Sequence, residues 1–369
     1  MTEKTGKEHS GRRRIERLRP LLSQKQADTL LITALPNVRY LTGFTGSAGI
    51  LLLTPAKEAL ITDSRYTIQA QEELSGSGVA LEIARKGLLA STAEYLRRQR
   101  GRIRLGYSGS QLTVGHKRIL DGALRGRIRW VEASGLVEKL RAIKEPGELA
   151  TMKAASRLIS EVFASVLQKV RIGAQEIQVS AEIEYEIKMR GASGPSFETI
   201  VASGTRSALP HARPASKLLS KNELVVLDQG AILCGYCSDM TRTVFLGRAP
   251  VRVRRMYQAV REAQEAAKAA VRPGVTAGDV DKAARQVLTR RGFGQFFTHS
   301  TGHGLGIEVH EMPRLGAGDP TPLEQGMVVT IEPGAYIEGL GGIRIEDDVV
   351  VTSRGSVDLT TATRDFLEL

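Results

Sequence analysis

At 369 residues, with 41% hydrophobic and 25% charged side chains, the chain is too long for one ordinary core and reads as two globular domains, not a disordered or fibrous protein. Its longest purely aliphatic run, Ile50 to Leu53, is far below the ~20 residues of a membrane span, so no membrane role is expected. The net charge of +12 sits in the first part of the chain: residues 1–148 carry 26 Lys and Arg against 15 Asp and Glu, and residues 149–369 carry 26 against 25.

A basic half raises nucleic-acid binding as a remote alternative. The arginines are scattered, however, at Arg85, Arg97, Arg98, Arg100, Arg102 and Arg104, with Tyr107 alone nearby for base stacking. That pattern reads as a solvated basic face, and no nucleic-acid partner is expected.

The opening stretch MTEKTGKEHSGRRR is polar and basic, with no apolar segment behind it to act as a signal peptide. Residues 1–14 are expected to be a disordered basic tail, and the protein to be cytoplasmic. From residue 15 to 140, short aliphatic strands (TLLIT, GILLLT, ALITD) alternate with helical stretches such as AEYLRRQR, which predicts an α/β domain.

Pro146, Gly147 and Glu148 then open a helix running to about Val170. A second domain is expected over 141–369. Its predicted elements are a helix over Gln178–Met189, strands at Thr199–Ala202, Leu224–Gly230 and Met240–Leu246, and helices at Val253–Val271 and Gly278–Arg291. A Gly-rich, strand-rich end follows. This order predicts an α+β domain with helices on one face of a curved sheet. Cys234 and Cys237 form a CxxC, but in a turn between strand-like runs instead of at a helix start, so they are read as structural.

Acidic residues interrupt several stretches that otherwise read as buried strands. Asp228 ends the apolar run in ELVVLDQG, and Asp239 opens the partner strand in CSDMTRT. Eleven residues apart, their carboxylates can meet across a hairpin. Glu332 ends MVVTIEPG and Glu346 lies in GGIRIEDD. Four carboxylates sharing one interior volume repel each other strongly enough to require cations. An imidazole comes from HSTGHGLGIEVHE, where small residues surround His303 and leave His299 and His310 for substrate. Oxygen donors with one imidazole favour Mn, Co, Fe or Zn.

These motifs, with NVRYLTGFTGSAG and ITDSRYTIQAQ near the start and VASGTRSALPHARP ahead of the first Asp, resemble the proline-specific pita-bread metallopeptidases: the Xaa-Pro aminopeptidases and Xaa-Pro dipeptidases. The resemblance implies a C-terminal pita-bread catalytic domain behind a smaller creatinase-like α/β domain. It makes Asp228, Asp239, His303, Glu332 and Glu346 ligands of two divalent metal ions, manganese first among them, with Asp239 and Glu346 bridging. Glu332 serves as the proton carrier as well. It assigns His211 and His310 to the substrate carbonyl and transition state, and His299 to the proline pocket. Arg344 is expected to orient Glu346 and Asp239 or to bind substrate.

The implied reaction is hydrolysis of the Xaa-Pro bond at the N-terminus of peptides with proline second, by a homodimeric aminopeptidase. A strict Xaa-Pro dipeptidase is the alternative, with Arg39 or Arg65 closing on the dipeptide carboxylate. Gln229, where the family more often has an apolar residue, is expected to point away from the metals.

Overall fold

The computed structural model describes residues 2–369, with side chains from residue 10 onward. The chain divides into a unit ending at Arg141 and a unit Ala142–Leu369. No helix among the described residues is long and apolar enough to cross a membrane.

Among the described residues, the first unit builds a six-stranded mixed sheet in the order Ala80–Ala84, Glu58–Asp63, Ile50–Leu53, Thr29–Ile32, Ile103–Tyr107, Ile128–Glu132. Leu31, Ile61, Leu96 and Leu105 are buried in its core. The segment expected as a disordered tail belongs to a helix, Thr2–Gln24; the side chains of residues 1–9 lie outside the described ones. Its turns bury Ile15, Leu18 and Leu22, an apolar stripe at helical spacing that the neighbouring arginines obscure in the sequence. Arg14 is itself buried, donates to the Tyr40 carbonyl oxygen at 2.8 Å and stacks 4.0 Å over the Tyr40 ring.

Part of the basic excess has structural work. Arg97 donates to the Ala123 carbonyl oxygen and Arg127 to that of Gly101, and Arg98 pairs with Glu82 at 2.9 Å. Arg65 pairs with Asp63 at 2.8 Å, while Arg39 lies in the helix Leu35–Thr42.

The second unit pairs two helices with each of two sheets. Its first helix, Pro146–Val166, begins with Pro146 in the first turn and a capping box in which the Glu145 N–H donates to the Glu148 carboxylate at 2.9 Å. With Glu176–Met189 it packs on the antiparallel strands Ile200–Ser203, Glu223–Gln229 and Met240–Leu246 through Ile159, Val162, Ile183 and Leu227.

Helices Val251–Ala270 and Ala277–Arg290 pack on strands Val328–Ile331 and Asp347–Thr352 and on the hairpin Gly334–Ile337 with Gly341–Arg344. Val260, Ala284, Val329 and Ile343 are buried between them. Cys234 is exposed and Cys237 buried, and burial pushes the Cys237 thiol up to about 12, which suits packing and not thiol redox chemistry.

Candidate metal centre

The strand pair Glu223–Gln229 and Met240–Leu246 delivers the first two carboxylates. Its register sets Asp228 opposite Thr241, and alternation along the strand puts Asp239 on the same face as Thr241. The two acids are thus diagonal neighbours with Thr241 between them. An inner hairpin separates the strands, turned by Cys234 and Gly235 at positive φ. Gly230 carries the chain into it: a Cβ there would stand 2.2 Å from the Ser238 carbonyl oxygen.

His303 lies in the short strand Gly302–Gly304. A Cβ on Gly302 would come within 1.9 Å of the Thr330 carbonyl oxygen, and one on Gly304 within 2.1 Å of that of Met312, so only glycine lets these strands close on the histidine. His303 Nδ1 lies 3.1 Å from the Gly304 carbonyl oxygen. Donating there turns the Nε2 lone pair toward Glu332 Oε1 at 3.5 Å and Asp239 Oδ2 at 3.7 Å. Burial holds the ring down to about 4. It is therefore neutral at pH 7, as a ligand must be.

The acids respond to burial in the opposite sense. Asp239 and Glu346 are raised well above the carboxylate range, by burial first and then by the neighbouring acids. Burial also pushes Glu332 up to about 7. Asp228 Oδ1 and Asp239 Oδ1 are buried without a hydrogen-bond partner, and orphaned anionic oxygens of this kind call for a cation.

One ligand atom each from Asp239, His303 and Glu346 lies within 4.8 Å of the others. Asp228 is drawn onto Arg344 at 2.6 Å, and Glu332 Oε1 lies 3.5 Å from His303 Nε2. All five line one cavity of about 830 Å³, together with His211, His299, His310 and Arg344. Donors of this kind fit a hard or borderline divalent cation.

Arg344 is expected to orient Glu346 and Asp239 or to bind substrate. Its guanidinium binds Asp228 directly and reaches Glu346 through Thr241: Arg344 Nε donates to Thr241 Oγ1 at 3.0 Å, and Thr241 Oγ1 donates to Glu346 Oε2 at 2.6 Å. The register that sets Thr241 opposite Asp228 brings both within reach of the one guanidinium. Gln229 is buried and absent from the cavity lining.

His299 Nδ1 lies 2.8 Å from the Ser300 carbonyl oxygen, and its Nε2 2.9 Å from the Tyr336 hydroxyl, which receives Arg344 Nη1 at 2.7 Å. Burial lowers the His299 ring to about 4. His310 packs edge-on against His303, ring centroids 4.4 Å apart, and is lowered by burial. His211 is exposed on the cavity wall.

Sequence reasoning passed over three residues here: Thr241, Tyr336 and Asp348. The buried Asp348 accepts from Ser156 Oγ at 2.6 Å and from the Asp239 backbone N–H at 3.1 Å, fixing the chain under that acid. The available signals were the position of Thr241 two residues after Asp239 and the acidic run at 346–348.

Residues 150–353 match metallopeptidase family M24, and residues 14–143 match the creatinase/prolidase N-terminal domain. The chain belongs to this family. The M24 peptidase is 34% identical to an Xaa-Pro dipeptidase of Pyrococcus furiosus, over 96% of this chain and 99% of the relative. An Xaa-Pro dipeptidase structure from Bacillus anthracis superimposes with a TM-score of 0.92 at 37% identity, covering 97% and 100% of the two chains. An X-Pro aminopeptidase from Thermotoga maritima gives a TM-score of 0.84 at 35% identity, covering 93% and 98%. Along the chain of the M24 peptidase a creatinase-type domain is therefore followed by a unit with the pita-bread fold, and its chemistry is metal-dependent peptide hydrolysis.

Proposed function

We propose that this M24 peptidase is an Xaa-Pro dipeptidase using two divalent cations, manganese foremost, held by Asp228, Asp239, His303, Glu332 and Glu346. The observation that carries the metal centre is the set of buried carboxylates with orphaned oxygens around a neutral His303. Bound cations would supply Lewis acidity and a water activated at neutral pH.

The side chains have separable tasks. Glu332 takes a proton from water and returns it to the leaving proline nitrogen. His310 donates to the carbonyl oxygen as charge develops there, with His211 across the cavity assisting. An Xaa-Pro bond has no N–H by which a peptidase could align its substrate, so recognition falls to the ring: His299 and His211 border it, and Phe197, Ile200 and Val309 add apolar surface to the same cavity.

The choice of dipeptidase over aminopeptidase draws support from the named relatives and from Arg314. A dipeptide ends in a carboxylate that needs a cation close by. Of the arginines lining the cavity, Arg344 is committed to Asp228 and Arg213 pairs with Glu198 at 3.2 Å. Arg314 makes no ion pair among the described residues and is exposed on the wall.

Aminopeptidase action is the second reading, favoured by the resemblance to the Thermotoga maritima structure. Turnover of an Xaa-Pro dipeptide against an Xaa-Pro-Yaa-Zaa peptide separates the two. Arg314→Ala should lower kcat/KM for the dipeptide by ~10–100-fold, the loss of a charged hydrogen bond, with little effect on the longer peptide. Equal turnover of both peptides, unaffected by that substitution, would return the reading to an aminopeptidase.

A further inference from the structure

Helix Ala277–Arg290 carries an acid–base pair that the chemistry above does not use. Asp281 is 1% exposed and Arg285, one turn on, is 32% exposed. Arg285 Nε meets Asp281 Oδ2 at 2.6 Å and Nη2 meets Oδ1 at 3.1 Å, a two-pronged guanidinium–carboxylate geometry. An ordinary pair at this spacing decorates one solvated helix and touches nothing else. Here both groups reach beyond the helix to the segment that carries His299.

Asp281 Oδ1 accepts from the Thr301 backbone N–H at 3.0 Å and from its hydroxyl at 2.9 Å. Arg285 donates to the Phe297 carbonyl oxygen at 3.1 Å and to that of His299. Its guanidinium also stacks 4.3 Å over the Phe297 ring, and Phe297 meets the His299 ring edge-on with centroids 5.1 Å apart. Arg285 thus touches His299 twice over, at the backbone directly and at the ring through Phe297. Thr301 in turn accepts the Glu332 N–H on its carbonyl at 2.8 Å.

We infer that Asp281 and Arg285 form a brace on the cavity wall, in which Arg285 is a positioning residue that sets His299 for the proline ring. The inference rests on the Xaa-Pro reading of the site. The brace never meets substrate; it acts through His299. Asp281 anchors the wall at Thr301 independently, so loss of Arg285 leaves Glu332 in register and spares the proton-transfer step. Arg285 and Asp281 also line an open groove of about 790 Å³ with residues 317–320. A shortened side chain there leaves room for water instead of a closed void.

The test uses the metal-loaded full chain with Arg285→Met, Arg285→Lys, His299→Ala and the double variant R285M/H299A, on an Xaa-Pro dipeptide. Arg285→Met should raise KM by about tenfold while kcat stays within about threefold, and Arg285→Lys should recover part of the loss. The KM penalty of Arg285→Met should vanish in the His299→Ala background, the mark of two residues acting as one unit. Hydrogen exchange without substrate should quicken over residues 297–303 and stay unchanged in helix Pro146–Val166.

Additive penalties in the double variant, or an unchanged KM with unchanged exchange, would overturn the brace. Arg285→Lys carries the same test if Arg285→Met does not fold. Absence of wild-type turnover on any Xaa-Pro substrate would overturn the functional reading alone, and the exchange measurement would then decide the brace.

Discussion

Replacing Thr241 by valine removes one hydroxyl at the point where the metal acids and the buried arginine meet. Thr241 is fully buried, and valine matches its shape, so packing is kept while two hydrogen bonds are lost. Glu346 loses a donor at 2.6 Å and Arg344 Nε loses its acceptor at 3.0 Å. A hydrogen bond to a charged group contributes about 1.5–3 kcal/mol, and residues that orient metal ligands typically govern affinity by ~10–100-fold. Thr241→Val should therefore weaken Mn²⁺ binding by ~10–100-fold, read by calorimetric titration of metal-stripped protein and by the Mn²⁺ concentration for half-maximal hydrolysis. Thr241→Ser keeps the hydroxyl and should bind within a few-fold of wild type. Wild-type affinity in the valine variant, or equal loss in the serine variant, would refute this role for the hydroxyl.

In the metal-free protein Glu332 should subtract stability as pH rises from about 4.5 through about 7, against the opposite contribution of His299 and His303, which burial lowers to about 4. Glu332 is raised in the fold from 4.5 to about 7, so below 4.5 it is protonated in both states, and above 7 the fold alone bears a buried charge. The penalty is on the order of 3 kcal/mol, and Glu332→Gln should remove it, giving a metal-free variant more stable than wild type at pH 8 and no less stable at pH 4. Denaturant titrations at the two pH values check the sign, and a variant less stable at pH 8 would show it reversed. Arg242→Met should destabilise the catalytic unit by about 3–5 kcal/mol, because Arg242 pairs with Asp347 at 2.8 Å and both side chains are buried; an unchanged unfolding midpoint would contradict that.

Much of this was legible from the chain itself. The acids Asp228 and Glu332 stand out because each ends an apolar strand, and Gly302 and Gly304 advertise a close backbone approach around His303. The helices over 146–166, 176–189, 251–270 and 277–290 follow from apolar periodicity and from turn and cap residues. What stayed hidden depends on register and on the other side of a helix. Nothing in CSDMTRT says that Thr241, and not Asp239, faces Asp228, so the partner of Arg344 could not be assigned. Asp281 and Arg285 look like any solvated i,i+4 pair until the segment they hold, Phe297 to Thr301, is placed beside them. The helix through Arg14 was concealed because charge density masks the Ile15, Leu18 and Leu22 stripe.

The central claim, a metal-dependent Xaa-Pro hydrolase, is most directly measured by exhaustive chelation followed by metal rescue, on paired Xaa-Pro and Xaa-Ala dipeptides. Chelation should abolish hydrolysis of the Xaa-Pro substrate, and Mn²⁺ or Co²⁺ should restore it. Asp239→Ala should recover under neither ion, and the Xaa-Ala peptide should remain a poor substrate throughout. Full activity after the metal is gone, or equal turnover of the two dipeptides, would contradict the account.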